Sequence, residues 1–378
     1  MFVLAVTSRC PLPPDRGDTR RLVALIADLA RRHDVECVVP DPSPAVVDGL
    51  EALGVGVGKA CFVPWATASW WRGPAQVAAM ARFQVDPAAC RAADVIHVST
   101  LRSLAMVPPR YWPKVHLDFV DALSRNALER AGSSGLGPLW RMEARSLATA
   151  ERRAVAAVGA ASASSAEDAA ALGADVHVLP VGTDVPEEVP PRDVRPTIAF
   201  TGNLGYFANI DAAKWLATDI FPRVRDRIPD ARLVLAGARP AADVLRLGEA
   251  PGVEVHADVP SLTPVLGSAW VACAPLRYGT GVQFKVLEAA AHGRAVVTTS
   301  RVASRLSGLE VGRHLLTADT AEDVAGALVQ LIDNTGSADL MGRAAREAVR
   351  RNYSWPTLAA QLEATLTGVA GNVATRPA

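Results

Sequence analysis

The sequence has no apolar run that reaches the ~18 residues a membrane-spanning helix needs. Its apolar start, Met1–Val6, is interrupted by Ser8, Arg9 and Pro11, so it is too short for the core of a signal peptide. We therefore expect a soluble protein of the cytoplasm.

Aromatic residues make up only 5% of the chain, yet three tryptophans cluster at Trp65, Trp70 and Trp71 beside Arg72. Indole rings next to a cation are typical of segments that touch a membrane surface. The same rings also suit a protein core or the wall of an acceptor cleft, and these alternatives are favoured. Peripheral membrane contact stays open as the less favoured alternative.

No two cysteines form a Cys-x-x-Cys motif, and five widely spaced cysteines do not suggest a disulfide framework. Free thiols fit the reducing conditions of the cytoplasm. The spacing also argues against a zinc site, and we expect neither a bound metal nor a cofactor. The cysteines are Cys10, Cys37, Cys61, Cys90 and Cys273.

The chain has no excess of either charge, with 39 Lys and Arg residues against 39 Asp and Glu residues. A nucleic-acid-binding protein would carry a strongly basic face, so we exclude nucleic acid as a partner. Few of the basic residues are lysines. They are Lys59, Lys114, Lys214 and Lys285.

At 378 residues the chain is long enough for two domains, each with its own core. Short apolar runs alternate with Ala-, Leu- and Arg-rich helical stretches, which is typical of doubly wound parallel sheets in the α/β class. The segment Val185–Pro196 holds four prolines and predicts a linker between residues 1–184 and 197–352. Strands are predicted at Phe2–Thr7, Val35–Val39, Ala93–Val98, Lys114–Phe119, Thr197–Thr201, Arg232–Ala236 and Val253–His256.

The stretch from Trp270 to Thr299 predicts a strand, a loop, a helix and a second strand in succession. Its loop contains Arg277, Gly279 and Gly281, and its helix runs from about Val282 to Ala291. At the carboxyl end of a parallel strand, helix N-termini offer N–H groups and a positive dipole end to phosphate. We therefore predict an anion site that suits a diphosphate.

Lys285 and Glu288 lie three residues apart, so they share one face of the predicted helix. A lysine suits a phosphate, and a glutamate suits the two hydroxyls of a ribose. A surface ion pair on an amphipathic helix explains the same spacing about equally well.

Two other glycine-containing loops precede predicted helices. Gly17 ends a proline-rich loop after the first strand, with Asp18 as the expected N-cap. Gly202, Asn203 and Gly205 follow the first strand of the second half. Bare N–H groups at such turns suit a phosphate or a sugar, but ordinary strand-to-helix turns use glycine as well.

Acidic residues follow the strand at Lys114–Phe119, where ligands of α/β proteins usually bind. Asp118 is our candidate for orienting a sugar or an acceptor, with His116 and Asp121 as alternatives. Asp121 also suits the N-cap of the next helix, and that alternative is favoured by about two to one. The sequence leaves open which of the three side chains faces the reacting centre.

The central stretch contains the pattern Arg-x-Gly-x-Gly-x-x-x-Lys-x-Leu-Glu, which resembles the donor-site motif of group 1 glycosyltransferases (glycosyltransferase family 4). The matching residues are Arg277, Gly279, Gly281, Lys285, Leu287 and Glu288. One position departs from the commoner family signature, which has two glutamates eight positions apart: the second falls on Glu288, but the first falls on Thr280. Because the first glutamate is tied to the donor sugar in the family, this departure leaves the sugar open.

This resemblance implies the GT-B fold, in which two Rossmann-like doubly wound parallel-sheet domains face each other across a cleft. It places the acceptor on residues 1–184 and the nucleotide sugar on residues 197–352, and it returns residues 353–378 to the first domain as a last helix. Arg277 and Lys285 then bind the diphosphate and Glu288 binds the ribose. The further donor-site positions that it implies are Gly17, Gly202, Asn203, Gly205, His256, Thr280, Gly281 and Val282.

The resemblance also implies transfer with retention of the anomeric configuration and without a metal. We expect a nucleotide diphosphate sugar as donor, with a UDP-sugar favoured. The expected acceptor is a hydroxyl of a saccharide or of a natural product such as an aminocyclitol. A sugar-nucleotide epimerase and a non-catalytic scaffold that binds sugar nucleotides are the alternatives, and the oligomeric state stays open.

Overall fold

The computed structural model describes residues 1–14, 17–63, 74–133, 137–278 and 283–374. The chain divides into two compact units. Unit 1 consists of Met1–Val181 with Trp355–Ala378, and unit 2 consists of Gly182–Ser354. No helix in the described ranges is long and apolar enough to cross a membrane. The clustered tryptophans, and the membrane contact considered for them, lie outside these ranges.

Unit 1 is built on a seven-stranded parallel sheet, with a separate antiparallel pair of short strands beside it. Its strands are β1 (Phe2–Thr7), β2 (Asp34–Val39), β3 (Gly56–Lys59), β4 (Cys61–Phe62), β5 (Phe83–Gln84), β6 (Val95–Ser99), β7 (Val115–Asp118), β8 (Ala160–Ala163) and β9 (Val176–Val178). The order in the large sheet is β3-β2-β1-β6-β7-β8-β9, and β4 pairs with β5.

Both faces of this sheet are covered, which explains the continuous apolar sequence of β1. Leu4 and Val6 belong to one buried cluster, whereas Val3 and Ala5 belong to another. Side chains alternate across a strand, so a strand buried on both faces must be apolar at every position.

The helices of unit 1 include the C-terminal helix of the chain. They are α1 (Gly17–Leu29), α2 (Pro44–Glu51), α3 (Ala75–Ala78), α4 (Pro87–Ala92), α5 (Leu101–Leu104), α6 (Leu123–Ser133), α7 (Gly137–Ala157), α8 (Ala166–Leu172) and α17 (Trp355–Ala374). Leu358 and Leu362 of α17 share a buried cluster with Leu22 and Leu25 of α1. The last helix is therefore part of the core of unit 1.

Unit 2 contains a six-stranded sheet in which every described pair is parallel. Its strands are β10 (Thr197–Thr201), β11 (Arg232–Gly237), β12 (Val253–Ala257), β13 (Val271–Ala274), β14 (Ala295–Thr298) and β15 (Leu316–Thr317), in the order β12-β11-β10-β13-β14-β15. Because β10 has β11 on one side and β13 on the other, the strand order reverses there, and such a switch point is where open α/β sheets bind ligands.

The helices of unit 2 connect these strands and follow the last of them. They are α9 (Phe207–Trp215), α10 (Phe221–Arg227), α11 (Ala242–Leu247), α12 (Thr263–Ser268), α13 (Phe284–Ala291), α14 (Ser300–Ala303), α15 (Ala321–Asp333) and α16 (Thr335–Tyr353). A π-helical turn, Leu216–Ile220, joins α9 to α10.

Candidate functional site

The loop that follows β10 and the described part of the loop that follows β13 lie at the switch point of unit 2. We name residues 202–206, 275–278 and 283–285 the switch-point corner. The first loop leads into α9 and the second into α13, so two helix N-termini begin there. The sequence predicts an anion site at this position. Strands β10 and β13 are paired in the sheet of unit 2, so the loops that follow them start side by side.

Lys285 is the buried cation of the switch-point corner. Only 9% of the residue is exposed, and its Nζ donates a hydrogen bond of 3.1 Å to Oε1 of Gln283. The ammonium also lies 5.8 Å from the ring centre of Phe200 on β10. Burial lowers the pKa of Lys285 to about 8, against the opposing effect of the Glu288 carboxylate. A buried ammonium with spare hydrogen atoms favours an anionic ligand.

Gly202 gives Lys285 the room to lie against the backbone. Its φ is 144°, a value that side-chain-bearing residues rarely adopt. A Cβ at Gly202 would lie 3.3 Å from Cε of Lys285 and 3.2 Å from Nδ2 of Asn209. The side chains of Lys285 and Asn209 therefore both lie next to Gly202, in the loop that follows β10.

Asn209, in the first turns of α9, is 5% exposed. Its Nδ2 donates a hydrogen bond of 2.8 Å to the carbonyl oxygen of Asn203. Its Oδ1 has no partner within the part of the chain that the structure describes. Asn209 thus brings an unused buried acceptor to the neighbourhood of Lys285.

Arg277 lies in the same corner but already has an anionic partner. Its Nε and one terminal nitrogen donate to the two carboxylate oxygens of Asp211, at 3.0 and 2.6 Å. Its guanidinium carbon lies 4.9 Å from the ring centre of Trp215. The hydrogen bonds to Asp211 raise the pKa of Arg277. The arginine is therefore a fixed cation on the surface of α9.

Four predicted positions, Gly279, Thr280, Gly281 and Val282, lie outside the described residues, so their roles stay predictions. Helix α13 is described from Phe284 onward and carries Glu288 one turn after Lys285. Because they are three residues apart on this helix, Lys285 and Glu288 lie on the same face of α13.

The remaining predicted donor-site residues of unit 2 lie at loops after neighbouring strands. Oδ1 of Asn203 accepts a hydrogen bond of 3.0 Å from the N–H of Gly205, so Asn203 stabilises its own turn. His256 lies in β12, and its Nε2 is 3.2 Å from Oε2 of Glu254. Contacts of these residues with a nucleotide stay predictions.

Asp118, the acidic candidate of unit 1, is a buried ion-pair partner. Its Oδ2 accepts a hydrogen bond of 2.6 Å from Nε of Arg21, and the two side chains are 2% and 1% exposed. Its Oδ1 accepts a bond of 3.1 Å from Oγ of Ser162. Burial opposes ionisation of Asp118, but the Arg21 guanidinium outweighs it and lowers the pKa of the carboxyl.

His116 forms a buried pair with His97 on the neighbouring strand. Their Nδ1 atoms are 3.0 Å apart and their rings stack at an angle of 10°. Burial lowers the pKa of His97 to about 4 and that of His116 to about 3, so both rings are neutral. Among the described side chains, no group of three or more His, Cys, Asp or Glu residues is placed to hold a metal ion.

Two capping predictions for unit 1 are wrong. Helix α1 already begins at Gly17, so Asp18 lies inside its first turn, where it pairs with Arg9 at 2.6 Å. Helix α6 begins at Leu123, two residues after Asp121. The carboxylate that serves its first turn is Glu151, which accepts a bond of 3.0 Å from the N–H of Ser124.

Asp121 instead lies beside β8, where its Oδ1 accepts a hydrogen bond of 3.4 Å from Oγ of Ser164. Burial, with a smaller effect of the nearby Asp168, raises the pKa of Asp121 to about 6. This carboxyl therefore changes its charge just below neutral pH. Contact of Asp121 with a ligand stays a prediction.

Comparison with protein families supports the motif in unit 2. Residues 195–334 match the model of the family described as glycosyl transferases group 1. This match confirms the predicted resemblance to group 1 glycosyltransferases and the assignment as a glycosyltransferase enzyme. No curated protein sequence matches the chain.

Solved structures resemble the chain over almost all of its length. Anabaena HepE with UDP-glucose has 14% sequence identity and a TM-score of 0.67, covering 97% of this chain and 99% of its own. Sucrose-phosphate synthase from Thermosynechococcus elongatus has 14% identity and a TM-score of 0.68, covering 98% and 99%. WaaG, a glycosyltransferase of lipopolysaccharide biosynthesis, has 14% identity and a TM-score of 0.63, covering 97% and 100%. These similarities confirm the predicted GT-B fold.

Proposed function

We propose that this chain, which carries a group 1 glycosyltransferase domain within a GT-B fold, transfers a sugar from a nucleotide diphosphate sugar to a hydroxyl group of an acceptor. A UDP-sugar is the favoured donor, since HepE was solved with UDP-glucose. The observation that carries this proposal is Lys285, a buried ammonium beside Gly202 at the switch point of unit 2.

Lys285 supplies the charge that the departing nucleotide needs. When the bond between sugar and diphosphate breaks, negative charge builds on the diphosphate oxygen. A cation that is already in place stabilises this charge without reorganisation. Arg277, fixed by Asp211, is the second cation of the proposed site, and Glu288 binds the ribose hydroxyls.

The finer features of the reaction are also part of this proposal. The anomeric configuration is retained, no metal takes part, and the enzyme works in the cytoplasm. The acceptor is a saccharide or a natural product such as an aminocyclitol, bound on unit 1. Asp118, which is paired with Arg21 in the interior of unit 1, orients the sugar or the acceptor.

The first experiment measures thermal stabilisation of the purified chain by UDP-, GDP-, TDP- and ADP-sugars. A ligand that binds only the folded state adds about 2.7 kcal/mol at a hundredfold excess over its dissociation constant. We expect one nucleotide family to raise the melting temperature. We expect Lys285→Ala to abolish that rise.

Lys214→Ala is the matched control, because Lys214 lies in the same unit but pairs with Asp243 outside the switch-point corner. It should keep the ligand-induced rise in melting temperature. If no sugar nucleotide stabilises the folded wild-type chain, the proposed donor site is wrong.

The donor found in this way then serves in transfer assays with saccharide and aminocyclitol acceptors. NMR of the product distinguishes retention from inversion of the anomeric configuration. Activity that persists in EDTA supports metal independence, whereas recovery only with added divalent ions contradicts it. Conversion of the donor without any acceptor, to an epimeric sugar nucleotide, would instead favour the epimerase alternative.

A further inference from the structure

The unpartnered Oδ1 of Asn209 requires an explanation. A buried acceptor without a hydrogen bond has lost its contact with water and gained nothing in return, so such groups are rare in folded proteins. The other end of the amide is fixed, since Nδ2 donates to Asn203 at 2.8 Å. The oxygen therefore cannot gain a partner by exchanging places with the nitrogen.

A diphosphate cannot satisfy this oxygen, because phosphate oxygens accept hydrogen bonds and do not donate them. Among the described side chains at Gly202, a group that can donate is the ammonium of Lys285, which has three hydrogen atoms. Its described hydrogen bond, to Gln283, uses one of them. Cε of Lys285 and Nδ2 of Asn209 lie 3.3 and 3.2 Å from the same point, the position that a Cβ would take at Gly202, so the two side chains are close neighbours at this glycine.

We propose that Asn209 is a positioning residue, whose Oδ1 accepts a hydrogen bond from Lys285 when the ammonium turns to a bound diphosphate. In that position the ammonium has a neutral acceptor on one side and phosphate oxygens on the other. This inference rests on the proposed function, since it concerns the same nucleotide site.

The charged surroundings of Lys285 make the inference testable. Among the described residues, the charged group that acts on the Lys285 ammonium is the carboxylate of Glu288, on the same helix. Asn209 on α9 and Phe200 on β10 are both uncharged. A carboxylate at position 209 would therefore add a new charge next to the ammonium.

Direct measurement is practical because the chain has only four lysines. In protein labelled with ¹³C at lysine Cε, Lys285 is the signal that disappears in Lys285→Met. Titration of this signal gives the pKa of Lys285, with and without UDP. We expect Asn209→Asp to raise that pKa by about 1 or more, because an adjacent opposite charge favours the ammonium.

Asn209→Ala removes the acceptor and should lower the pKa of Lys285 in the UDP complex below that of the wild type. Asn209→Ser, which keeps an oxygen, should lie between the two. If Asn209→Asp does not fold, the comparison of Ser with Ala decides the question. UDP affinity should weaken as the pH rises through the pKa of Lys285. This loss should begin at a lower pH in Asn209→Ala than in the wild type, with Asn209→Ser between them.

Failure of the inference is distinguishable from failure of the proposed function. If UDP leaves the Lys285 signal of the wild type unchanged, the donor site itself is wrong. If UDP shifts that signal but the Asp, Ser and Ala variants titrate like the wild type, Asn209 does not contact the ammonium. A bridging water would then be the partner of Oδ1.

Discussion

Asp211 holds Arg277 by two hydrogen bonds, at 3.0 and 2.6 Å, while Trp215 lies under the guanidinium at 4.9 Å. Asp211 and Trp215 are four residues apart on α9, so they present one surface to the arginine. Arg277 is therefore held in a defined orientation before any ligand arrives. This orientation depends on the planar guanidinium and not on charge alone.

We predict that Arg277→Lys weakens UDP binding about tenfold, which corresponds to about 1.4 kcal/mol. A lysine keeps the charge but cannot form the paired hydrogen bonds to Asp211. Isothermal titration measures the change. The control is Arg246→Lys, because Arg246 also pairs with an aspartate but on the surface of α11. Equal affinities of Arg277→Lys and wild type would show that the guanidinium geometry is not used.

The Arg21–Asp118 pair gives a prediction about stability. Removing one charge of a buried pair leaves the other charge uncompensated, at a cost of about 3–5 kcal/mol. We expect Asp118→Asn to lower the free energy of unfolding of unit 1 by that amount in urea titrations. Asp41→Asn is the control, since Asp41 pairs with Lys59 at the surface and its side chain is 82% exposed. A loss below about 1 kcal/mol for Asp118→Asn would contradict the prediction.

The buried histidine pair predicts loss of stability in acid. The folded-state pKa values of His97 and His116, about 4 and about 3, lie below the unfolded value of 6.5. Unfolding therefore takes up protons below pH 6.5, and stability falls from there to about pH 4, on the order of 3 kcal/mol per histidine. Urea unfolding between pH 7.5 and 4.5 measures this slope.

His97→Gln, which cannot be protonated, should flatten the acid slope, whereas His256→Gln should leave it unchanged. His256 is the appropriate control because its side chain is 41% exposed. An unaltered slope in His97→Gln would assign the acid sensitivity to other groups.

Gly202 gives a fourth prediction. In Gly202→Ala, a left-handed backbone and close contacts with Lys285 and Asn209 both oppose the new methyl group. We expect a destabilisation of about 1–3 kcal/mol together with weaker UDP binding. Gly326→Ala is the matched control, because nothing lies within 4 Å of its Cβ position in α15. This change should stabilise the chain by about 0.5–1 kcal/mol. Normal UDP binding by Gly202→Ala would show that the loop does not approach the ligand closely.

The pattern of apolar runs predicts most strands of both sheets, because a strand buried on both faces has to be apolar throughout. The motif around Lys285 likewise predicts the cation at the switch point, since its helix and loop are local in sequence. Both features depend on residues that are close together in the sequence, so they can be predicted without knowledge of the three-dimensional structure.

The partners of these residues are not predictable in the same way. Arg21 contacts Asp118 and Asp211 contacts Arg277 across distances of 97 and 66 residues in the chain. A charged residue in an amphipathic helix normally faces solvent, so Arg21 gives no sign of its burial. The unused oxygen of Asn209 is visible only when all its neighbours are known.

The packing of α17 in unit 1 has a consequence for synthesis. Unit 1 is interrupted by all of unit 2, and its core includes Leu358, Leu362 and Leu366 near the end of the chain. The first part of unit 1 leaves the ribosome early but lacks this helix until all of unit 2 has been translated. Unit 2, whose residues are continuous, has its full sequence sooner. The second unit in the chain is therefore expected to be the first to reach its native state.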